Sequence, residues 1–473
     1  MVYVPGNHEF YGHDFTDELV KESPQSIHVL NNDAIVLNDV RFLGSTLWTG
    51  FRLNGESEVR YARRWPGVQW RTSPPSGLAD APLIRHPACT RNAPNCQNGA
   101  MQISPGRLRS LDVFRGLTIA AMILVNNPGS WSYVYAPLNH AEWHGATPTD
   151  WIFPFFLFIV GVSIALAIGR RKESGADRKD LVRKILWRSL IIFAIGLFLS
   201  AYPHFDWSTL RIPGVLQRIA LVYGITAILF LWLDVRQMFW LGAGCLLAYW
   251  GMLTLIPVPG GFPPNFEPAT NLGAWIDASL LGGHLWSQSK VWDPEGLLST
   301  LPALATGISG ILAGAWLQSG RDHFEKTAGL MVAGTILLAG GLVWNAVFPI
   351  NKQLWTSSYV LYTSGLALLV FGVLYWWIDI HGHSRGTLPF VVYGTNALIV
   401  FAVSGLLART LNAIHVTDSA GNPASIKAWL WTSVFERAFD SPYNASLAHA
   451  IVYVLLLLGF AWLLYSRRIF IKV

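Results

Sequence analysis

Residues 126–161 read NNPGSWSYVYAPLNHAEWHGATPTDWIFPFFLFIVG. The two asparagines close an apolar run that starts near Leu111, and a second apolar run opens at Asp150. Between them lies a short segment crowded with aromatics, Asn and His and free of Lys and Arg. An apolar helix of roughly 20 residues crosses about 30 Å of hydrocarbon, so the stretch reads as the end of one membrane span, a polar hairpin, and the start of the next. That hairpin is where chemistry is expected.

The rest of the chain supports this reading. Of 473 residues, 52% are apolar and only 13% charged, and the mean hydropathy is positive, which places the chain among membrane proteins. About ten apolar segments follow Met101, near 110–127, 150–169, 184–201, 214–233, 237–256, 296–318, 327–348, 358–379, 388–408 and 446–466. The expected fold is all-α and polytopic. The net charge of +6 belongs to cytoplasmic loops rather than to a nucleic-acid surface, because Lys and Arg collect on the cytoplasmic side of multi-pass proteins. Arg107, Arg109, the cluster Arg170 to Lys184, Arg321, Lys326, Arg385, Arg467 and Arg468 fall on one side if both termini are cytoplasmic. The hairpin then faces the extracytoplasmic side of a plasma (inner) membrane. No basic start followed by an apolar core opens the chain, so the first span is expected to act as the insertion signal. Cys89, Cys96 and Cys245 have neither metal-site nor disulfide-framework spacing.

Ahead of the spans, residues 1–60 show strand-like pieces around Ile27–Leu30, Ala34–Leu37 and Val40–Leu43, and residues 61–106 form an irregular linker rich in Pro, Asn and Ser. The GNHE at Gly6–Glu9 resembles a motif of calcineurin-like metallophosphoesterases, which implies metal and phosphate roles for Asn7 and His8. The flanking metal-ligand motifs of that family are missing, so the fragment is expected to be a remnant. Residues 107–473 form the transmembrane domain.

Ionisable groups at membrane depth are costly and mark functional sites. Asp112 and Arg115 share a helix face near the start of the first span. With Arg109 and Arg188 they offer a guanidinium cluster for a phosphorylated ligand. In the hairpin, His140 is a candidate general base and Asp150 a carboxylate able to orient it, while Asp150 also suits a helix cap. Asn126, Asn127, Asn139, Glu142, Trp143 and His144 surround them. Indole faces pack on sugar rings and amides and carboxylates take hydroxyls, so a glycan site is chemically sensible. Arg218, Asp293 and Glu295 mark a polar region at the same side of the membrane, and the long connections 257–295 and 410–445 read as lids or binding surfaces.

RLRSLDVFRG at 107–116, VN at 125–126, HAEWHG at 140–145, DWIFPFFLFIVG at 150–161 and LRIPGVLQR at 210–218, extended by DPEGLLST, INKQLWTSSYVL and YGTNAL, resemble the transmembrane heparan-alpha-glucosaminide N-acetyltransferase family and its bacterial relatives over about 107–468. The resemblance implies acetyl transfer from cytosolic acetyl-CoA to the amino group of a terminal glucosamine across the membrane. It places the family's active-site histidine at His140 and its asparagine at Asn126; His144 stands where members can carry Asn. Acetyl-CoA as co-substrate, an amino-sugar or glycan terminus, and the lipid bilayer are the partners implied, with homodimerisation open and neither metal nor nucleic acid expected. A thioester is already activated, so the residues support His140 as general base or as transient acetyl carrier. The alternatives are a membrane acyltransferase for another acceptor, or a transporter, which would show repeats with paired broken helices.

Overall fold

The computed structural model describes residues 108–417 and 421–471, together with four short strands nearer the N-terminus. Those strands lie in a separate unit, Met1–Ala100. β1 (Val2–Tyr3) pairs in parallel with β2 (His28–Val29). β3 (Ala34–Leu37) and β4 (Val40–Leu43) form an antiparallel hairpin in which Ala34 faces Leu43. Asn7, His8 and the linker lie outside the described residues.

The second unit is helical. In chain order it contains α1 (Arg109–Asn126), α2 (Pro148–Glu173), α3 (Arg178–Ala201), α4 (Val215–Trp232), α5 (Val235–Leu255), α6 (Leu272–Leu281), α7 (Thr300–Gln318), α8 (His323–Trp344), α9 (Ser357–Leu374, continued by the π-turn Tyr375–Ile380), α10 (Leu388–Thr395), α11 (Ala397–Ala413), a hairpin of β5 (His415–Thr417) and β6 (Pro423–Ser425), α12 (Ile426–Leu430) and α13 (Pro442–Ser466). Each expected span has a helical counterpart. Eight helices among the described residues are long and apolar enough to cross a membrane, and the α10–α11 pair makes a ninth. α1 carries Arg109, Asp112 and Arg115 in its first two turns. The chain is a multi-pass membrane protein.

α2 is the centre, packed against α1, α4, α7 and α9. Its apolar window is 72% buried, against 17% for α8, so α8 borders the bundle. Apolar burial cannot distinguish a helix neighbour from lipid tails, and close approach must come from small residues. The α2–α7 crossing depends on two glycines. A Cβ on Gly161 would fall 2.0 Å from the Gly307 carbonyl oxygen, and one on Gly310 would fall 2.0 Å from the Phe158 carbonyl oxygen.

The expected continuous span 388–408 is instead broken, with α10 and α11 bent by 82°. At the break Asn396 leaves helical geometry. Its side-chain amide donates to the Ile469 carbonyl (3.0 Å) and its oxygen accepts from the Ile471 amide (3.0 Å), so the side chain gives the C-terminal tail the partners that a strand would supply. The connection 257–295, expected as a lid or binding surface, contains α6. α1 lacks a side-chain cap of its own at Leu108; Asp379 supplies one from across the bundle, accepting from the amides of Arg109 (3.0 Å) and Ser110 (3.2 Å).

The bundle has two ends. One gathers the start of α1, the basic residues after α2, and the π-turn; it is called the basic end below. The other gathers the 127–147 hairpin with the connections 202–214, 256–299, 345–356 and 414–441, and is the loop end. Substituting Gly310→Val should lower the thermal midpoint of the detergent-purified protein, with a cost of at least about 1–3 kcal/mol from overpacking against a carbonyl that cannot move aside. An unchanged midpoint would contradict the described crossing.

Candidate functional site

The hairpin between α1 and α2 is tied down at several points. Thr147 and Asp150 form a capping box at the start of α2. The Asp150 Oδ2 accepts from the backbone amides of Thr147 (2.9 Å) and Ala141 (3.1 Å). Its Oδ1 lies 2.5 Å from Nδ1 of His140. Asp150 is 1% exposed whereas the His140 side chain is 40% exposed, so a buried carboxylate holds an accessible imidazole. A carboxylate can only accept, so Nδ1 carries the hydrogen, and Nε2 is the ring nitrogen not engaged by Asp150. The Asn139 side chain accepts from the His140 amide (3.2 Å) and its carbonyl takes the Thr147 hydroxyl (2.6 Å).

Gly145 sits at φ +105°, a left-handed conformation that suits glycine, and its amide donates to the Ile350 carbonyl (2.7 Å). Next to it, Nδ1 of His144 lies 3.3 Å from the buried Asn351 amide. These contacts fasten the hairpin to the 345–356 connection. The Tyr359 hydroxyl donates to the Asp150 carbonyl (2.5 Å), and its ring meets Trp355 edge-on at 5.4 Å.

Trp355 links this pair to a second polar cluster. It is fully buried with φ +55°, a strained backbone for a bulky residue of the kind found at functional sites. The Arg218 guanidinium stacks on its indole, 5.1 Å from the ring centre. Arg218 is 1% exposed; it donates to the Gly296 carbonyl (3.0 Å) and the Ser299 hydroxyl (2.5 Å). Arg211 grips Asp293 through two bonds (2.8 and 2.6 Å) and Glu295 through a third (2.6 Å). Burial opposes ionisation of Glu295, but Arg211, Lys352 and Arg218 prevail and hold its carboxyl below the usual range. Asp277 goes the other way: burial first, then the Asp293 charge, outweigh the amides of Leu297 and Asp293 and push it up to about 6.

Beside this cluster opens a narrow cleft lined by Trp143, Asn271, Asp277, Trp292, Asp293 and Ser299 among others. The indole N–H of Trp143 donates to the Phe266 carbonyl (2.9 Å), and its ring packs edge-on against Trp292 at 5.3 Å.

The structure thus brings together His140, Asp150, Asn139, Trp143 and His144 in one hairpin, and Arg218, Asp293 and Glu295 in the adjoining cluster. Asn126 is exposed at the end of α1 and Glu142 is exposed in the hairpin. Asn127 turns elsewhere: its amide donates to the Ile123 carbonyl (2.8 Å) and approaches Ser404 (3.5 Å), and its carbonyl lies 3.3 Å from Nδ1 of His449. At the basic end, Arg115 pairs with Asp112 (3.2 Å) and donates to Ser163 (2.9 Å), while Arg109 donates to Thr387 (3.0 Å). Arg188 lies over the Tyr223 ring of α4 at 5.0 Å, on a different helix pair. Sequence reading passed over Arg211, Asp277, Asn351, Gln353 and Tyr359. Arg211 was visible as one of few cations in the loop-end connections, and Asn351 falls within INKQLWT.

The fold and site define a polytopic helical membrane protein that presents a carboxylate-held histidine and an aromatic, carboxylate-lined cleft at one end of its bundle. Residues 107–260 match the family model described as heparan-alpha-glucosaminide N-acetyltransferase, catalytic. The chain is similar to the mouse heparan-alpha-glucosaminide N-acetyltransferase, 31% identical over 354 residues, which are 63% of this chain and 53% of that protein. The human protein of the same name is 32% identical over 353 residues, 63% of this chain and 52% of its own. The chain spans about half the length of these relatives, and the resemblance read from its motifs is carried by the transmembrane region.

Arg211→Ala would strand two buried carboxylates, at a cost of about 3–5 kcal/mol. The expected result is a large loss of thermal stability in detergent that Arg211→Lys does not restore, since an ammonium cannot reproduce the fork. The raised Asp277 carboxyl makes the folded state the tighter proton binder between the unfolded pKa near 4 and about 6. Its stabilising contribution is therefore complete below that window and lost as pH rises through it. Asp277→Asn should flatten the stability profile there, as followed by thermal unfolding across pH; an unaltered slope would remove Asp277 as its source.

Proposed function

We propose that this protein is a transmembrane N-acetyltransferase that moves an acetyl group from cytosolic acetyl-CoA to the amino group of a terminal glucosamine or related amino sugar on the extracytoplasmic side. The basic end then faces the cytoplasm with both chain termini, and the loop end faces outward from a plasma (inner) membrane. The observation that carries the reading is the pairing of an accessible His140 side chain with the buried Asp150 carboxylate, in a region related to the catalytic domain of that family.

The chemistry requires little else. The acceptor amine arrives protonated and must lose a proton before it can attack the thioester carbonyl; Nε2 of His140 accepts that proton and Asp150 stabilises the resulting imidazolium, and as the tetrahedral intermediate collapses the C–S bond breaks and the CoA thiolate leaves, taking up the second proton shed by the acylated nitrogen. In the alternative two-step route, Nε2 attacks the thioester itself and carries the acetyl group to the amine. The direct transfer uses fewer steps and is the route favoured here. Asn126 supplies an amide donor for the tetrahedral oxyanion or the substrate. Asn127, Asn139, Glu142, Trp143, His144, Arg218, Asp293 and Glu295 are the acceptor-side set, of which Arg218, Asp293 and Glu295 act by shaping the cleft.

For the donor, Arg109, Asp112 and Arg115 are the better part of the proposed set. The Nε of Arg109 is buried without a partner, and a buried unpaired guanidinium N–H suits an incoming phosphate oxygen. Arg188, on the α3–α4 pair, is the least supported of the four. A transporter reading needs paired broken helices, whereas α10–α11 is the only bent pair among the described residues. Another acyl acceptor is the remaining rival.

Membranes carrying His140→Ala, supplied with labelled acetyl-CoA and glucosamine, should show acetylation reduced by about 10²–10⁴-fold, the usual scale of a general base. Asp150→Asn keeps the side-chain shape and should also lower turnover. Full activity in His140→Ala would overturn the assignment.

A further inference from the structure

The central helix carries a gap near its start. Pro154 lies inside α2. In an α-helix the carbonyl of each residue accepts from the N–H four residues on, so the Asp150 carbonyl would find its partner at position 154. Proline has no N–H, and its ring crowds the carbonyl four residues back. Asp150 is buried, which keeps solvent from taking the place of that donor, and an unpaired buried carbonyl is costly.

The donor comes from α9. The fully buried Tyr359 gives its hydroxyl hydrogen to the Asp150 carbonyl (2.5 Å). Its ring is set by Trp355, which meets it edge-on and also meets Phe153, the residue before Pro154, edge-on at 5.0 Å. Trp355 is tied in turn to α7, where its indole N–H donates to the Thr306 hydroxyl (3.2 Å). A tyrosine that only filled the core could satisfy its hydroxyl at any free acceptor. The acceptor it takes is the one that Pro154 releases, and it belongs to the residue whose side chain holds His140.

We infer that Tyr359 is a positioning residue for His140: its hydroxyl replaces the helix hydrogen bond that Pro154 deletes, and so fixes the place of Asp150 and the direction of the imidazole. Without the hydroxyl, the Asp150 peptide turns toward another donor and the contact between its Oδ1 and Nδ1 of His140 loosens. A base displaced by about 1 Å can cost about 10²-fold in rate. The inference rests on the proposed acetyl transfer for its kinetic consequence; the pairing and its effect on the imidazole stand apart from that reaction.

The test is a double-variant cycle in the purified full chain. Tyr359→Phe removes the hydroxyl and keeps the ring, and Pro154→Ala gives the Asp150 carbonyl back its helix donor. With Pro154 present, Tyr359→Phe should lower kcat for glucosamine acetylation by about 10–100-fold while KM for both substrates stays the same. In the Pro154→Ala background the same change should cost less than about 3-fold, because the carbonyl no longer needs the hydroxyl. A second readout needs no turnover: carbethoxylation of His140 by diethyl pyrocarbonate, followed by mass spectrometry with the exposed His415 as reference. A carboxylate raises the basicity of the imidazole it holds. Tyr359→Phe should therefore slow labelling of His140 by roughly 3–10-fold, the scale of one hydrogen bond, and the double variant should recover it. Equal losses in both backgrounds, or unchanged kcat or unchanged His140 labelling in Tyr359→Phe, overturn the inference. If Tyr359→Phe alone does not fold, a folded double variant supports the pairing and an unfolded one overturns it; if Pro154→Ala does not fold, kcat and labelling of Tyr359→Phe decide. Tyr359-dependent labelling without acetyl transfer by the wild type leaves the positioning standing and removes the reaction. Transfer and labelling that ignore Tyr359 do the reverse.

Discussion

The interaction on which the loop end depends is the one carboxylate of Asp150. It satisfies the Thr147 amide at the start of α2, where a helix entering hydrocarbon has orphan N–H groups that lipid cannot serve, and the Ala141 amide in the hairpin. It also holds Nδ1 of His140. A residue needed to begin the central helix thereby fixes the tautomer and direction of the histidine. Because α2 is the most enclosed of the spans, the imidazole is referenced to the rigid middle of the bundle although it sits on a loop.

The second polar cluster solves a different problem. Carboxylates and guanidiniums near a membrane boundary are tolerated when they pair with one another. Arg211 neutralises Asp293 and Glu295, and Arg218 lies on the strained Trp355 indole. Trp355 touches Tyr359, and Tyr359 donates to the Asp150 carbonyl. This chain of contacts ties the cluster to the histidine through packed rings and one backbone hydrogen bond. It gives the cleft a fixed wall, in which Asp277 accepts from the amides of Leu297 and Asp293.

Much of this could be read from the amino-acid sequence. Apolar run length placed a helix at each expected segment, although α1 falls outside the eight helices that pass as spans and 388–408 is a bent pair; His140 and Asp150 stood out as a base and a carboxylate ten positions apart in a hairpin without cations. The break at Asn396 was not readable, because a single Asn in an apolar run gives no hint that the C-terminal tail will return to pair with it. Asp277 was hidden for a similar reason: its environment is created by Gly296 and Leu297, twenty positions on, and no local pattern announces that contact. Arg188 and Asn127 show what linear order leaves out. Each lay near the expected set in the linear order of helix ends, but rotation about the helix axis turns Arg188 onto Tyr223 and Asn127 toward α11 and α13.

The account's central claim is that the histidine at the loop end completes a transfer begun at the opposite face. Its most direct test is sealed, uniformly oriented vesicles with acetyl-CoA confined to the basic-end side and glucosamine to the loop-end side. The account predicts N-acetylglucosamine on the loop-end side, dependent on His140. Product formed only when both substrates share one side, or formed at an undiminished rate by His140→Ala, would contradict it.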